Sequence, residues 1–152
     1  MMASKISVGD KAPDFEGPTG DGRNLGLKDF VGKKVVLYFY PKDDTPGCTK
    51  EACSFRDNLG LIRSTGAEIV GVSLDSPESH KKFSTKFHLP FPLISDEKGQ
   101  VAKAYGVLKD TGKSTNRVTF IIDKNGKIAK IFPKVDVTKH TEEVADALKT
   151  LP

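Results

Sequence analysis

An unbroken apolar run, Val35 to Tyr40, followed at once by a proline-containing segment, constrains the fold of this chain more than any other feature. The run contains only β-branched, aliphatic and aromatic side chains, which is typical of a strand covered on both faces. The pair Thr45-Pro46 follows, a residue type favoured at a helix N-cap and then a proline suited to the first helical position. We therefore predict a buried central strand followed by a helix from Thr45 to about Ile62.

Strand and helix signals alternate along the rest of the chain. Ala67 to Leu74 predicts a second buried strand, and Ser76-Pro77 repeats the cap-plus-proline signal for a helix that must end before Pro90. The remaining elements are an extended piece at Leu93-Ile94, a short helix at Gln100 to Tyr105, strands at Arg117 to Ile122 and Lys127 to Phe132 around a tight Asn-Gly turn, and a final amphipathic helix marked by Val144, Ala147, Leu148 and Leu151. This order predicts one α/β domain over residues 1–152, with a mixed sheet that is parallel in its first half and antiparallel at the hairpin.

Composition excludes several function classes. The 24 basic and 20 acidic residues are spread along the chain, and no dense Lys/Arg cluster with interleaved aromatic residues indicates nucleic-acid binding. No stretch approaches the roughly 20 apolar residues that cross a bilayer. Met1 to Lys5 lacks the apolar core of a signal peptide, so we expect a cytoplasmic protein. A targeting segment already removed from a precursor is compatible with this expectation.

The two cysteines, Cys48 and Cys53, lie within the first predicted helix. Cys48 comes three residues after the Thr45 cap, where free backbone N–H groups and the helix dipole favour a thiolate. Burial on the apolar helix face opposes that effect, so a fixed cation is needed. Arg117, which opens a strand expected beside Val35 to Tyr40, is the candidate for that cation.

Helix geometry separates the two sulfur atoms. Cys48 shares the inward face with Ala52 and Phe55, whereas Cys53 lies about 140° around the helix. Their Cα atoms are roughly 8.6 Å apart on an ideal helix, and a disulfide needs less than about 7 Å. A bond between them therefore requires the first turns of the helix to unwind, which predicts a helical reduced form and a locally unfolded oxidised form.

The cysteines have two other interpretations, as small apolar residues or as metal ligands. An isolated buried cysteine is often only a small apolar residue, but the Thr-Pro-Gly-Cys setting at a strand-to-helix junction favours reactivity. A zinc site needs about four ligands, and His80, His88 and His140 lie far along the chain on polar segments without ligand spacing. We therefore expect no metal and no cofactor.

These residues resemble the peroxiredoxins. Pro41-x-x-x-Thr45-x-x-Cys48 matches the active-site signature of that family, and Thr-Pro-Gly-Cys-Thr-x-Glu-Ala-Cys is similar to its peroxiredoxin Q, or bacterioferritin-comigratory, branch. Further similar segments are Gly9 to Phe15, Val36 to Pro41, Pro92 to Asp96 and Arg117 to Asp123. The resemblance implies a thioredoxin-like fold, with a mixed central β-sheet flanked by helices and an N-terminal extension.

The resemblance also implies roles for individual residues. Cys48 would be the peroxidatic cysteine, which attacks the peroxide and becomes a sulfenic acid, and Cys53 would resolve it as an intramolecular disulfide. Thr45 would hydrogen-bond the peroxide and the attacking sulfur. Pro41 would shield the site from water, and Arg117 would stabilise the thiolate and the developing charge.

The implied substrates are hydrogen peroxide and organic hydroperoxides, and the implied reductant is thioredoxin or a glutaredoxin-like protein. A monomer is expected, because resolution within one chain needs no second subunit. Two other functions stay open: a general thiol–disulfide oxidoreductase, which the wide cysteine spacing disfavours, and a redox sensor that passes its oxidation to a partner. Glu51 is compatible with orienting Arg117 and equally with an ordinary first-turn acid.

Overall fold

A computed structural model describes residues 6–152 of the chain. The sequence alternates strand-forming and helix-forming segments, and the structure follows that alternation. The elements are β1 (Glu16–Pro18), β2 (Asn24–Gly26), a short 3-10 helix (Leu27–Phe30), β3 (Lys34–Phe39), α1 (Pro46–Asp57), α2 (Leu59–Arg63), β4 (Ala67–Ser73), α3 (Pro77–Phe87), β5 (Leu93–Ser95), α4 (Gln100–Ala104), β6 (Val118–Ile122), β7 (Ile128–Phe132) and α5 (His140–Lys149).

The apolar run predicted as a central strand is the middle strand of a five-stranded sheet with the order β5-β4-β3-β6-β7. Strands β3, β4 and β5 are parallel, whereas β6 pairs antiparallel with β3 and β7 pairs antiparallel with β6. The predicted mixed sheet, parallel first and antiparallel at the hairpin, is confirmed. Because β6 begins beside the end of β3, its first residues lie next to the loop that leads into α1.

Both faces of β3 are buried, as its composition predicts. Val36, Tyr38 and the following Tyr40 face a cluster that includes the apolar sides of α1, α3 and α5. Val35, Leu37 and Phe39 face a second cluster that includes residues of the N-terminal segment and of α4. The helix that carries both cysteines therefore packs on the Tyr38 side of the sheet.

The predicted helix from Thr45 to Ile62 is divided in two at Asn58. The backbone of Asn58 has φ −115° and ψ 13°, outside the helical range, and its side-chain amide donates to the carbonyl of Ser54 at 2.8 Å. A polar side chain that satisfies a backbone carbonyl of the last turn competes with further helix. Leu59 and Ile62 are still buried on the same core, but they belong to α2.

Two further differences concern hairpins. Strands β1 and β2 form an antiparallel hairpin that joins the sheet through a single bridge between Thr19 and Ile94. Its strands have three residues each, too short to leave a periodic pattern. The predicted tight turn between β6 and β7 is present, closed by the N–H of Gly126, which donates to the carbonyl of Asp123 at 3.0 Å. It is not of type I′, which needs positive φ at both central residues, because only Gly126 has positive φ there, at 80°.

Candidate active site

Cys48 lies in the first turn of α1, where the chain leaves β3. Pro46 occupies the first helical position, as predicted, so Cys48 is the third residue of the helix. Its side chain is 1% exposed and belongs to the same core cluster as Ala52 and Phe55, one and two turns further along. The predicted inward face of this helix is therefore confirmed, and Cys48 lies in the first turn, whose N–H groups have no partner within the helix.

Arg117 contacts the sulfur of Cys48. Its Nη2 donates to Cys48 Sγ at 3.3 Å, and its Nη1 donates to Oε1 of Glu51 at 2.8 Å. Gly47 leaves room for this approach, since a Cβ added there would lie 3.1 Å from Arg117 Nη2, a tight contact that would push the guanidinium slightly away. The guanidinium is thus held at a fixed position between a thiol and a carboxylate, and the contact predicted from the strand order is present.

The charges of this group influence one another. Burial raises the pKa of Glu51 to about 7, although the charge and hydrogen bond of Arg117 act in the opposite direction. Desolvation acts to lower the pKa of Arg117, but the charges of Glu51 and Cys48 outweigh it and raise that pKa. Arg117 therefore stays a cation. The carboxyl group of Glu51 is only 1% exposed, so its ionised form is unfavourable in free energy unless Arg117 remains beside it.

Thr45 occupies the N-cap position with an extended backbone, φ −99° and ψ 154°, but its side chain does not cap the helix. The hydroxyl instead donates to the carbonyl oxygen of Lys42 at 2.9 Å. Thr45 is therefore the N-cap residue by position, as predicted, but without a capping hydrogen bond from its side chain. Because the hydrogen of the hydroxyl is engaged, its oxygen is left to accept a hydrogen bond from another molecule.

Cys53 lies five residues after Cys48 on another face of α1. It is half-buried, whereas Cys48 is buried, and both are unpaired thiols in the described part of the chain. An intact α-helix keeps residues at this spacing apart (roughly 8.6 Å between Cα atoms). Pro41 is also half-buried and immediately follows Tyr40, in the loop between β3 and α1.

Two buried polar atoms near the site have no partner, and the position of one of them, the hydroxyl of Tyr38, was not predicted from the sequence. The hydroxyl of Tyr38 and Oε2 of Glu51 have no hydrogen-bond partner among residues 6–152. Burial raises the pKa of Tyr38 well above its usual value, with further contributions from the charges of Glu51 and Cys48. Strand alternation could have identified Tyr38, since it lies on the same face of β3 as the core cluster that holds Cys48.

Two histidines were placed wrongly. The sequence places them on polar segments, but His80 is 0% exposed and His140 is 1% exposed. His140 shares a hydrogen bond with the hydroxyl of Thr119, between Nε2 and Oγ1 at 2.7 Å, and burial together with the charge of Arg117 lowers its pKa to about 4. His140 is therefore a neutral, buried residue close enough to the Cys48 site to be affected by the charge of Arg117. A single polar residue in a short amphipathic helix carries no signal of burial.

The nearest approach to a metal-ligand set, within residues 6–152, is formed by Asp43, Asp75 and His80. Their potential ligand atoms lie within 4.8 Å of one another. Asp43 and His80 already bond each other at 2.7 Å, and Asp75 accepts from the backbone N–H of Asp43 at 2.8 Å. Since these atoms satisfy one another, the donor set does not indicate a metal centre. His88, the third histidine, is exposed and takes no part in it.

Comparison with known proteins agrees with this geometry. The sequence profile described as the AhpC/TSA family matches residues 8–131. The peroxiredoxin bcp of Coxiella burnetii is 48% identical over 149 residues, covering 94% of this chain and 99% of that one. The structure of peroxidoxin BcpB from Mycobacterium tuberculosis superposes with a TM-score of 0.91 at 34% identity, covering 97% and 99% of the two chains.

A third relative is the bacterioferritin comigratory protein of Xanthomonas campestris. Its structure, described in connection with alkyl peroxide reduction, superposes with a TM-score of 0.84 at 37% identity and covers 89% of this chain and 90% of that one. Within residues 6–152, the helices are too short or too polar to cross a bilayer.

The thioredoxin-like sheet, its N-terminal hairpin and a cysteine at the start of a helix define a thiol peroxidase. The chain belongs to the AhpC/TSA family of peroxiredoxins. Within that family it is a peroxiredoxin of the peroxiredoxin Q, or bacterioferritin-comigratory, branch, an enzyme that reduces peroxides with thiols.

Proposed function

We propose that Cys48 is the peroxidatic cysteine of this enzyme and Cys53 the resolving one. The observation that carries the proposal is the 3.3 Å contact between Arg117 Nη2 and Cys48 Sγ. A cation and the N-terminal N–H groups of α1 both stabilise a thiolate, and only the thiolate is a strong nucleophile. Cys53 has no comparable position, because it lies deeper in the helix on another face.

In the first step, the Cys48 thiolate gives an electron pair to the nearer oxygen of the hydroperoxide as the O–O bond breaks. The sulfur becomes a sulfenic acid, and the leaving oxygen takes a proton from solvent to become water or an alcohol. Negative charge moves from sulfur to the leaving oxygen during this step. Arg117 is already in place to stabilise that charge, at no cost in reorganisation.

Thr45 and Pro41 shape the site around the peroxide. The Thr45 hydroxyl donates to Lys42, so it meets the substrate as an acceptor for the peroxide O–H. Because its hydrogen is engaged, the Thr45 hydroxyl bonds the peroxide and does not donate to the Cys48 sulfur, to which the resemblance also assigned it. Pro41 has no N–H of its own and covers the loop side of the site against water.

In the second step, the thiol of Cys53 attacks the Cys48 sulfenic acid, which releases water and forms an intramolecular disulfide. The first turns of α1 must unwind for the two sulfur atoms to meet. A dithiol donor then reduces the disulfide and leaves as a disulfide itself. We assign this role to thioredoxin or a glutaredoxin-like protein, because the half-buried Cys53 becomes accessible when the helix opens.

The substrate range follows from the same site. The Xanthomonas structure was described in connection with alkyl peroxide reduction. As an acceptor, Thr45 needs only one O–H group on the substrate, which both hydrogen peroxide and an alkyl hydroperoxide supply. Hydrogen peroxide and small organic hydroperoxides are therefore the expected substrates. No metal or other cofactor enters the chemistry. We further propose that residues 1–152 form one domain, and that the protein is a monomer located in the cytoplasm.

Peroxide-dependent NADPH oxidation, with thioredoxin and thioredoxin reductase, tests this function. Sustained turnover that Cys48→Ser abolishes is expected. A redox sensor would be oxidised by peroxide without sustained turnover, and a general oxidoreductase would reduce insulin without peroxide. Either of those results would replace the peroxidase proposal. Size-exclusion chromatography of the reduced protein tests the monomer.

A further inference from the structure

A buried contact between a carboxylate and an imidazole anchors the loop between β3 and α1. Asp43 Oδ2 lies 2.7 Å from Nδ1 of His80, a residue of α3 that is 0% exposed. The same carboxylate accepts from the hydroxyl of Tyr40 at 2.6 Å and from that of Ser79 at 2.8 Å. Two hydroxyl donors and one imidazole nitrogen thus converge on one buried side chain in the middle of residues 41–45.

The hydrogen bonds of His80 define how many protons the contact holds. Its Nε2 lies 3.0 Å from the carbonyl oxygen of Ile94, which only accepts, so Nε2 carries a hydrogen. The 2.7 Å contact between Nδ1 and Asp43 Oδ2 also requires a hydrogen, contributed by the imidazole or by the carboxyl group. The pair therefore holds one proton more than a carboxylate facing a neutral imidazole would.

The pair acts on the peptide unit that joins Lys42 to Asp43. The N–H of this peptide donates to Asp75 Oδ2 at 2.8 Å, and its carbonyl accepts from the Thr45 hydroxyl at 2.9 Å. Asp75 is itself held by the hydroxyl of Ser73 at 2.6 Å. Anchoring the side chain and the N–H of Asp43 therefore fixes the direction of the carbonyl that engages Thr45.

The neighbouring residue, Asp44, adds little to what holds the loop. Asp44 has φ 57°, in the left-handed region that L-residues other than asparagine and aspartate rarely adopt. Its side chain pairs with Lys86 at 2.9 Å, but both groups are largely exposed, so this contact contributes little. The buried contacts of Asp43 are the ones able to hold the loop.

We propose that Asp43 and His80 are positioning residues of the peroxide reaction, which share a buried proton and set the Thr45 hydroxyl as an acceptor for the peroxide O–H. This inference rests on the proposed peroxidase function. Neither residue touches the substrate. Their effect reaches it through the Lys42 carbonyl and Thr45.

The test is a double-mutant cycle on single-turnover oxidation of Cys48, in a Cys53→Ser background. Asp43→Ala and His80→Asn are each combined with Thr45→Val, and second-order rate constants for hydrogen peroxide are measured by stopped flow. Asp43→Ala should slow oxidation on the order of tenfold when Thr45 is present, and less than about twofold in the Thr45→Val protein, because the acceptor is already lost. Equal slowing in both backgrounds would overturn the proposal.

Three controls separate positioning from general damage. Alkylation of Cys48 by iodoacetamide has no peroxide O–H to place, so its rate should change less than about twofold in Asp43→Ala; a parallel fall would contradict the proposal. The amide of His80→Asn places an N–H donor where Nδ1 faces Asp43, whereas the amide of His80→Gln places one where Nε2 faces Ile94. His80→Asn should therefore retain more peroxide reactivity than His80→Gln. Asp96→Ala removes another buried carboxylate, bonded to the N–H groups of Val101 and Ala102, and should leave the peroxide rate unchanged.

The proton count has a readout that does not depend on activity. A long-range ¹H–¹⁵N NMR spectrum of the reduced protein at neutral pH should show both ring nitrogens of His80 as hydrogen-bearing or sharing a hydrogen. One nitrogen with the signature of a free lone pair would overturn the pair as described. If the wild-type chain reacts with no peroxide at all, the proposed function fails, while this spectrum still tests the pair.

Discussion

Arg117 and Cys48 are 69 positions apart in the sequence, yet Nη2 of the arginine lies 3.3 Å from the sulfur. The contact arises because β6 runs antiparallel to β3, with Val118 opposite Phe39, so the residue before β6 reaches the start of α1. Oε1 of Glu51 holds the other end of the guanidinium at 2.8 Å. The cation is thus positioned before the peroxide arrives.

Removing this cation should slow the attack of Cys48 on peroxide. Arg117→Ala is expected to reduce the second-order rate constant for Cys48 oxidation by about 10²- to 10³-fold, the usual cost of losing one preorganised donor. The rate constant of Arg117→Lys should lie between those of the wild type and Arg117→Ala, because one ammonium group cannot reproduce the two hydrogen bonds that the guanidinium makes to Cys48 and Glu51. Stopped-flow oxidation measures both variants. Arg63→Ala, an exposed arginine paired with Glu68, is the matched control and should react as the wild type does.

Glu51 should make the folded protein less stable as pH rises. A free glutamate titrates near 4.5, and burial raises the pKa of Glu51 to about 7. Between these values the folded chain binds more protons than the unfolded one, so its unfolding free energy falls with rising pH. Glu51→Gln should remove this component, which amounts to roughly 2 to 3 kcal/mol over the window. Urea unfolding of both proteins at several pH values within it measures the difference, and parallel curves would refute the assignment.

His140 should make the folded protein less stable at acid pH. Its pKa is lowered from 6.5 to about 4 by burial and by the charge of Arg117. The folded chain therefore binds fewer protons than the unfolded one in this range, and stability is lost as pH falls from 6.5 towards 4. His140→Gln should flatten that loss by roughly 2 to 3 kcal/mol.

The matched control for this prediction is His88→Asn. His88 is exposed and has φ 52°, a conformation that asparagine tolerates. Its acid unfolding profile should match that of the wild type. An unchanged profile in His140→Gln as well would show that another group causes the acid sensitivity.

Much of the fold could be predicted because the decisive signals are local. The apolar run Val35 to Tyr40 defined β3, and the cap-plus-proline pairs at Thr45-Pro46 and Ser76-Pro77 marked the starts of α1 and α3. The break at Asn58 was missed because its cause is a side chain that bonds Ser54. Such a competing bond is not encoded in hydrophobic periodicity.

The candidate site was predictable where it follows from strand order and helix position, as for Arg117 and Cys48. The pairing of Asp43 with His80 was not, since it joins a loop and a helix 37 positions apart and depends on three-dimensional packing. The burial of His140 was missed for the same reason. Sequence patterns report which face of an element is apolar, and they do not report which polar side chains that face encloses.

Oxidation should unwind the start of α1 and leave its end in place. Cys48 and Cys53 cannot bond across an intact helix, while the hydroxyls of Ser54 and Thr141 share a hydrogen bond at 2.6 Å and Phe55 is fully buried. Hydrogen exchange should therefore lose protection over about residues 46–53 in the oxidised protein and keep it beyond residue 54. Cys53→Ser treated with peroxide is the control, and equal protection in both redox states would contradict the prediction.

The assignment of roles to the two cysteines is tested most directly by one mass spectrum. The reduced protein receives one equivalent of hydrogen peroxide, with and without a sulfenic-acid trap, and its proteolytic peptides are analysed. We expect a Cys48–Cys53 disulfide in the wild-type chain and a trapped sulfenic acid on Cys48 in Cys53→Ser. An adduct on Cys53 in Cys48→Ser, formed as rapidly, would contradict it.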